Sequence, residues 1–293
     1  MTDLPQLTKL IARHMGEDGM RACALPGVTL IRASAPTLPM PALYQPTLCL
    51  IAQGRKEAGL GPLRLTYDPS SFLLASVDLP VMGAVIEASR ENPYLCMQLS
   101  LDMTLIGELT LQFPAPVSRP AQLGLSVHRA SAGLLGAAGR LLALLDTPDD
   151  IAALAPLTLR EIFYRLLRSS AGPALRQFAQ ADSHLSQIAR AIAWIRENFR
   201  GACPIDHVAQ LAGMSRSAFH DHFRAITGLS PLAFRAQLRM QEAQRLMLTT
   251  GMVAADAGFA VGYGSPSQFS RDYARQFGAP PARHAAELRK AAA

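Results

Sequence analysis

The sequence has no run of roughly 18 apolar residues, the length that marks a candidate membrane-spanning helix. Its first residues, MTDLPQLTKLIARHMGEDG, carry acidic side chains and lack both the apolar core and the small-residue cleavage site of a secretory signal. These absences predict a cytoplasmic protein that does not bind a membrane.

Cysteine is scarce, with 4 residues in 293, and no two of them have Cys-x-x-C spacing. This scarcity argues against a disulfide framework, a structural zinc site and the zinc-held cysteine cluster of a DNA-repair methyl acceptor. Cys49 and Cys96 lie in apolar, strand-like runs. Two interpretations of them stay open: small buried hydrophobic residues, or thiols that sense oxidants or electrophiles.

Histidine is absent between residues 15 and 127, which excludes a histidine-ligated metal site in that stretch. The chain also lacks a G-x-S-x-G elbow and a glycine-rich phosphate-binding loop. We therefore predict no enzymatic activity, no catalytic residues, no metal and no cofactor.

The composition is that of a globular protein: 49% of the residues are hydrophobic, 17% are charged, and 293 residues suffice for two domains. Residues 1–183 hold 15 basic and 15 acidic side chains. Residues 184–293 hold 13 and 7, and so carry the whole net charge of +6. This confinement indicates phosphate neutralisation rather than general solubility. We predict domains at residues 1–183 and 184–293.

The first domain begins with helical spacing over residues 4–15 and then changes to a β pattern. From residue 25 to about 117, short apolar runs are separated by Pro, Gly, Asp and Asn, which predicts a sandwich or barrel. The runs are VTLIRA, TLCLIAQ, LRLTY, SFLLASV, GAVIEA and YLCMQLSLD.

The pattern becomes helical after the breaker-rich segment FPAPVSRP, over about residues 125–180. SVHRASAGLLGAAGRLLALLD and LTLREIFYRLLRSS each place an apolar stripe on one helical face. Two compatible roles stay open: the helices cover the β domain, or the stripe pairs with a second copy in a homodimer.

The last third contains two similar segments, AQLAGMSRSAFHDHFRAITG (209–228) and AADAGFAVGYGSPSQFSRDYARQFG (254–278). Each predicts a short helix, a glycine-containing turn and a second helix that begins at a serine, which is the helix-turn-helix plan of proteins that bind the DNA major groove. Ser230 and Pro231 begin a helix of about 19 residues between them, roughly 28 Å long. Because one turn of B-DNA is about 34 Å, a single subunit could read two successive major grooves.

The outward faces of the two recognition helices supply the candidate contacts to double-stranded DNA. Ser217, His220 and Asp221 are placed for base edges, and Arg216 and Arg224 for phosphates. Arg271 is the candidate for bidentate guanine contact, with an ion pair to Asp272 or Asp256 as the alternative. The predicted DNA-binding residues are Arg216, Ser217, His220, Asp221, Arg224, Ser265, Ser267, Gln268, Ser270, Arg271 and Arg275.

The stretch from IDHVAQLAGMSRSAFHDHF to GYGSPSQFSRDYARQFGAPP resembles the paired helix-turn-helix domain of the AraC/XylS transcription regulators, over about residues 186–290. The resemblance implies DNA contact by Ser217, His220, Asp221, Ser267, Ser270 and Arg271. Pro266 departs from the polar residue that many members have there, which implies no contact from that position.

The N-terminal runs PTLCLIAQGRKEAGL, LTYDPSSFLLASVDLPV and NPYLCMQLSLD resemble the regulatory domain of one AraC-type subgroup. That resemblance implies a cupin-like β-barrel with appended helices, so the expected fold class is a two-domain α+β protein with an all-α C-terminal domain. It also implies a small-molecule effector, a homodimer, and control of nearby genes, with RNA polymerase as a partner of an activator.

Two other functions are weighed against a sensing regulator. One is an architectural DNA-binding protein without a ligand, and the other is a cupin-type enzyme, which the missing histidines oppose. Several aromatic and sulfur-containing side chains are candidates for pocket lining, with ordinary core packing as the alternative. They are Tyr44, Tyr67, Phe72, Met82 and Tyr94.

Overall fold

The computed structural model describes residues 4–115, 123–179 and 183–292. The chain divides into two compact units, Met1–Gln187 with Ala225–Gly228, and Ile188–Arg224 with Leu229–Ala293. Most of the predicted breaker segment, residues 116–120, lies outside the described residues. No helix in the described ranges is long and apolar enough to cross a membrane.

Over residues 4–115 and 123–179, the first unit contains ten antiparallel strands in two sheets. The six-stranded sheet has the order β1-β2-β9-β4-β7-β10 and the four-stranded sheet the order β3-β8-β5-β6. The strands are β1 (Gly19–Ala22), β2 (Val28–Ala33), β3 (Met40–Tyr44), β4 (Thr47–Gln53), β5 (Arg55–Leu60), β6 (Leu63–Tyr67), β7 (Ser71–Ala75), β8 (Leu79–Glu87), β9 (Tyr94–Ser100) and β10 (Leu125–Arg129). The predicted β-rich domain is confirmed, as two sheets rather than one closed barrel.

The central strands of the six-stranded sheet, β9, β4 and β7, are buried on both faces. Leu48, Leu50 and Ala52 of β4 belong to the main hydrophobic core, together with residues of five helices. Cys49 and Ile51, which alternate with them, are 2% and 0% exposed on the opposite face. The five helices are α1 (Leu4–His14), α2 (Met103–Gln112), α3 (Ala132–Ala143), α4 (Ile151–Arg168) and α5 (Gly172–Ala179).

The predicted apolar stripe is buried within the first unit. Leu134, Leu141, Leu142 and Phe163 are at most 2% exposed and pack in the core beneath the helices. Of the two roles left open, the cover over the β-sheet is the one that these side chains perform.

Several elements differ from the prediction. The tetrapeptide SVHR was assigned to a helix, but it lies in β10, and α3 begins only after the N-cap Ser131 accepts a bond from Leu134 N–H. Strand pairing with β7 overrides the weak helical spacing there. Helix α2 lies within the stretch predicted as β, and its N-cap Asp102 accepts bonds from Thr104 and Leu105 N–H.

The second unit is all helical, as predicted. Its helices are α6 (His184–Asn198), α7 (Ile205–Leu211), α8 (Arg216–Thr227), α9 (Pro231–Thr249), α10 (Ala254–Ala260), α11 (Pro266–Phe277) and α12 (Pro281–Ala292). The last turn of α8 belongs to the first unit. The predicted linker helix matches α9, whose N-cap Ser230 accepts a bond of 3.2 Å from Ala233 N–H.

The two helix-turn-helix turns have the same backbone hydrogen bonds. After α7, Gly213 has φ +69° and donates to Gln210 O, while Met214 donates to Ala209 O. After α10, Gly262 has φ +91° and donates to Phe259 O, while Tyr263 donates to Gly258 O. This is the Schellman arrangement, in which a left-handed residue satisfies the last carbonyls of a helix. Glycine is the residue that adopts it without strain.

Replacing Gly262 with alanine tests this backbone constraint. A Cβ atom there would lie 2.0 Å from the Arg200 carbonyl oxygen and would force a side chain into positive φ. We expect Gly262→Ala to lower the free energy of unfolding by at least about 2 kcal/mol, measured by urea denaturation.

The matched control is Gly264→Ala, because no heavy atom lies within 4 Å of a Cβ built at Gly264. Its free energy of unfolding should stay within about 0.5 kcal/mol of the wild type. Equal losses in the two variants would contradict the argument from the turn.

Candidate nucleic-acid interface

Helix α8 buries one aromatic face and exposes the other side. Phe219 and Phe223 are 0% exposed, and the Phe223 ring lies 5.4 Å from that of Phe234 on α9, edge to face. Helical periodicity therefore directs the intervening residues away from this core. Arg216, Ser217, Asp221 and Arg224 are exposed, and His220 is half-buried beside Phe219.

Helix α11 repeats the arrangement. Phe269 and Tyr273 are fully buried in a core that α9, α10 and α12 share. The Tyr273 hydroxyl lies 3.1 Å from His284 Nδ1 of α12, which holds the buried ring in place. The predicted contact residues lie on the other side of the helix. Ser267, Gln268, Arg271 and Arg275 are exposed, and Ser265 and Ser270 are half-buried.

The serines that begin the two recognition helices differ. Ser215 Oγ accepts a bond of 3.4 Å from Ala218 N–H, so it caps α8 as predicted. Ser265 occupies the N-cap position of α11, but its side chain makes no capping hydrogen bond. The predicted start of α11 is therefore right in position, while Pro266 at its first residue is what favours helix initiation.

Most arginines of the second unit bond to a carboxylate or a backbone carbonyl of the same chain. Two arginines on the recognition helices form no ion pair with the described residues. Arg216 lies 3.4 Å from Asp206, and Arg275 lies 2.8 Å from Asp272. Neither Arg224 on α8 nor Arg271 on α11 forms an ion pair with any residue in the described ranges. Each recognition helix thus presents one exposed guanidinium that has no ion-pair partner in the described part of the chain.

The ion pair weighed for Arg271 is not formed by the described residues. Asp272 pairs with Arg275 and its carboxylate also acts on the nearby Tyr263 hydroxyl. Burial and this neighbouring carboxylate raise the pKa of Tyr263 to about 12, so the phenol stays a neutral donor. With Asp272 occupied in this way, the Arg271 side chain stays available to a ligand.

Two arginines of α9 have a structural role that the sequence pattern did not reveal. Arg235 and Arg239 each donate to the Phe199 carbonyl, at 2.9 and 2.7 Å, and Arg239 also donates to Arg200 O at 2.7 Å. They satisfy the backbone carbonyls that follow α6. Part of the basic excess therefore stabilises the fold, and a helical wheel gives no signal that separates these arginines from solvent-exposed ones.

A further pair of arginines is neutralised by Glu242, also on α9. Its carboxylate lies 2.7 Å from Arg245 and 2.9 Å from Arg200. The hydrogen bond from Arg245 and the charges of both arginines hold the Glu242 pKa below its usual value despite partial burial. These cations therefore contribute less to the outward field than the formal charge suggests.

Two helix-turn-helix motifs joined by one helix, in a chain that also has a β-rich unit, are the plan of a DNA-binding domain attached to a second, different domain. Comparison with protein families agrees with this plan. Residues 24–174 match the N-terminus of AraC-type transcriptional regulators, and residues 208–287 match a helix-turn-helix domain. The chain belongs to the AraC family of transcriptional regulators.

Individual relatives are distant. The virulence regulon transcriptional activator VirF of Yersinia enterocolitica is 30% identical over 143 residues, which is 48% of this chain and 52% of VirF. The regulator ExsA of Pseudomonas aeruginosa is 26% identical over 240 residues, covering 78% of this chain and 86% of ExsA. ToxT of Vibrio cholerae with a bound unsaturated fatty acid superposes with a TM-score of 0.56 at 11% identity, covering 88% of this chain and 93% of ToxT. The chain thus spans about half the length of VirF, and the likeness to ToxT is one of fold.

The structural role of Arg239 gives a stability prediction. We expect Arg239→Ala to lower the free energy of unfolding by about 1–3 kcal/mol, since it leaves carbonyls at the end of α6 without their donor. Arg283→Ala is the control, because Arg283 pairs with Glu287 on the exposed surface of α12. Its effect should be at most about 1 kcal/mol in the same urea titration. A reversed order of the two effects would show that Arg239 does not hold α6.

Proposed function

We propose that residues 184–293 read two adjacent blocks of a promoter or operator through α8 and α11, and that residues 1–183 regulate this binding. The observation that carries the proposal is the pair of exposed guanidinium groups, Arg224 and Arg271, which lack an ion-pair partner among the described residues. Cationic groups without an internal carboxylate are the ones that gain most from contact with phosphates and base edges.

The predicted contacts divide by chemistry. Arg216 and Arg224 neutralise phosphates, and the half-buried His220 and exposed Asp221 meet base edges from α8. From α11, Arg271 makes the bidentate guanine contact. The remaining proposed contacts are polar side chains on the same two surfaces, Ser217, Ser265, Ser267, Gln268, Ser270 and Arg275.

The two unpaired arginines should behave differently on DNA. With duplexes selected by the full-length protein from a random library, Arg271→Ala should lose about 1–3 kcal/mol of binding and relax one base position. Arg224→Ala should weaken selected and scrambled duplexes alike and reduce the slope of log Kd against log salt by about 1.

Arg283→Ala is the control for both variants, since it removes a cation of the same unit that is paired with Glu287. It should leave the affinity and the salt slope unchanged. If Arg271→Ala weakens scrambled and selected duplexes equally, Arg271 contacts phosphate and the proposed base reading is wrong.

We also propose that the protein forms a homodimer. Its interface uses exposed leucines and not the apolar stripe that the sequence predicted, because that stripe is buried. Leu111 on α2 and Leu154 and Leu157 on α4 are 85%, 43% and 64% exposed, and α2 packs against α4. Neighbouring helices that expose leucines supply the apolar surface that a second copy covers. A homodimer would add avidity to DNA binding.

Sedimentation velocity tests the dimer. We expect the wild type to show a concentration-dependent dimer and Leu157→Glu to shift it toward monomer, because a carboxylate would be buried in the interface. Met20→Glu, at a residue 67% exposed on β1, should sediment like the wild type. A dimer of unchanged stability in Leu157→Glu would contradict this interface.

The regulatory role of the N-terminal unit includes a small-molecule effector and, for an activator, contact with RNA polymerase. Such a regulator needs no catalytic chemistry and acts in the cytoplasm, where it reaches the chromosome. The alternative is an architectural protein with no ligand, which should show the same DNA affinity and melting temperature across a metabolite panel, whereas an effector stabilises its receptor by mass action.

A further inference from the structure

A cluster of polar side chains lies between the two sheets of the first unit. Tyr44, Lys56 and Tyr67 belong to the four-stranded sheet. Tyr94 and Cys96 of β9 and Cys49 of β4 lie on the face of the six-stranded sheet that points away from the helices. Lys56 lies directly opposite Tyr67 in the pairing of β5 with β6, and its ammonium lies beside the Tyr44 ring. The buried Tyr67 and Tyr94 each interact with Tyr44, Cys49 and Cys96, so the six groups form one cluster.

Two hydroxyl groups in this cluster lack strong hydrogen-bond acceptors. Tyr67 and Tyr94 are 1% and 0% exposed, and their Oη atoms have no oxygen or nitrogen partner among the described residues, only the weakly accepting thiols of Cys49 and Cys96 beside them. Leaving a buried polar group unpaired costs about 1–3 kcal/mol. Two hydroxyls without a strong acceptor, side by side, mark a site that is completed by something other than this chain.

Lys56 brings a positive charge to the same place. Its Nζ lies 5.7 Å from the centre of the Tyr44 ring, and the lysine interacts electrostatically with Cys49 and Cys96. Gly83 leaves room for it, since a Cβ there would be 3.1 Å from Lys56 Cε.

No described carboxylate pairs with Lys56. The acidic residues on the same strands are engaged elsewhere: Glu57 lies 3.9 Å from Arg64, and Glu87 lies 3.4 Å from Arg55. The Lys56 ammonium therefore has phenol and thiol neighbours, with the Tyr44 hydroxyl as a hydrogen-bond acceptor, but no described counter-ion.

The available groups are donors. The ammonium can only donate, and the two phenols are unionised donors at neutral pH because burial raises the pKa of Tyr67 and of Tyr94. A carboxylate supplies four acceptor positions and one negative charge, which complements one ammonium and two hydroxyls.

We propose that this cluster is the effector site and that it takes a small organic carboxylate, with Lys56, Tyr67 and Tyr94 bonding the carboxylate oxygens. The inference rests on the proposed regulatory function and adds the ligand's chemical class and the residues that hold it. Sequence reasoning listed Tyr44, Tyr67 and Tyr94 only as possible lining and missed Lys56, because RKEAGL has the polar character of an exposed strand. Phe72, from the same set, lies on the helix-facing side of the sheet, in the main core.

The test measures binding to the purified full-length protein with sodium acetate, butyrate, hexanoate and benzoate. Sodium chloride is the ionic control, and benzamide is the uncharged analogue of benzoate. We expect at least one carboxylate to raise the melting temperature and to titrate calorimetrically, while benzamide does neither. If none of the four stabilises the wild type, the proposal is overturned.

Three variants assign the binding to this cluster. Lys56→Met keeps the length of the side chain and removes its charge, and it should weaken the carboxylate that binds by about 10-fold or more. Tyr67→Phe and Tyr94→Phe should weaken it too, while the ligand-free melting temperature stays level or rises, since each removes a hydroxyl that has no strong acceptor. Tyr164→Phe is the control, because Tyr164 is 36% exposed on α4.

Two results would overturn the assignment to this site. In the first, Lys56→Met binds the carboxylate as tightly as the wild type. In the second, the phenylalanine variants lose stability without any change in carboxylate affinity, which means that the hydroxyls bind buried water alone. DNA binding by the same ligand-free preparations is measured in parallel. If the protein binds a carboxylate but does not bind DNA, the proposed function is wrong while the proposed carboxylate site is still supported.

Discussion

Burial of both faces of the central strands β9, β4 and β7 is the constraint on which the N-terminal unit depends. An antiparallel sheet commonly keeps one face in water, and its strands then alternate between apolar and polar residues. Here β4 is buried at six of its seven positions, because helices cover one face and the second sheet covers the other. The inward-facing leucines of α3 and α4 are buried in this cover, so the dimer that we propose uses exposed leucines on α2 and α4 instead.

The arginines of the second unit have two roles that a count of formal charge does not distinguish: some stabilise the fold, and others are exposed without an internal partner. Arg235 and Arg239 neutralise the carbonyl end of α6, and Arg200 and Arg245 share Glu242. These interactions orient α9 against the end of α6. They therefore fix the position of α9, the helix that links the two helix-turn-helix motifs. Arg224 and Arg271, which form no ion pair among the described residues, lie on α8 and α11, the two helices that we propose bind the DNA phosphates and bases.

The interior of the β-rich unit shows the opposite relation between stability and function. An apolar filling between the sheets would avoid the weakly bonded hydroxyls of Tyr67 and Tyr94 and the ammonium of Lys56, which has no described counter-ion. A complementary ligand supplies the hydrogen-bond partners that these polar groups lack in the free protein, and this gain adds to its binding free energy. A ligand that completes this cluster therefore tightens the contact between the sheets, which gives a sensing domain a physical means of responding.

Local signals in the sequence determined the helix-turn-helix motifs, the linker helix and six of the strands, because caps, proline, positive-φ glycine and alternation act within a few residues. The SVHR segment was predicted wrongly, since pairing with β7 is a contact between residues distant in sequence. Only the tertiary structure decided which charges are free and which are used. Arg271 and Arg239 look alike on a helical wheel, and Lys56 looks exposed, because a side chain's partners come from segments that the fold alone brings together.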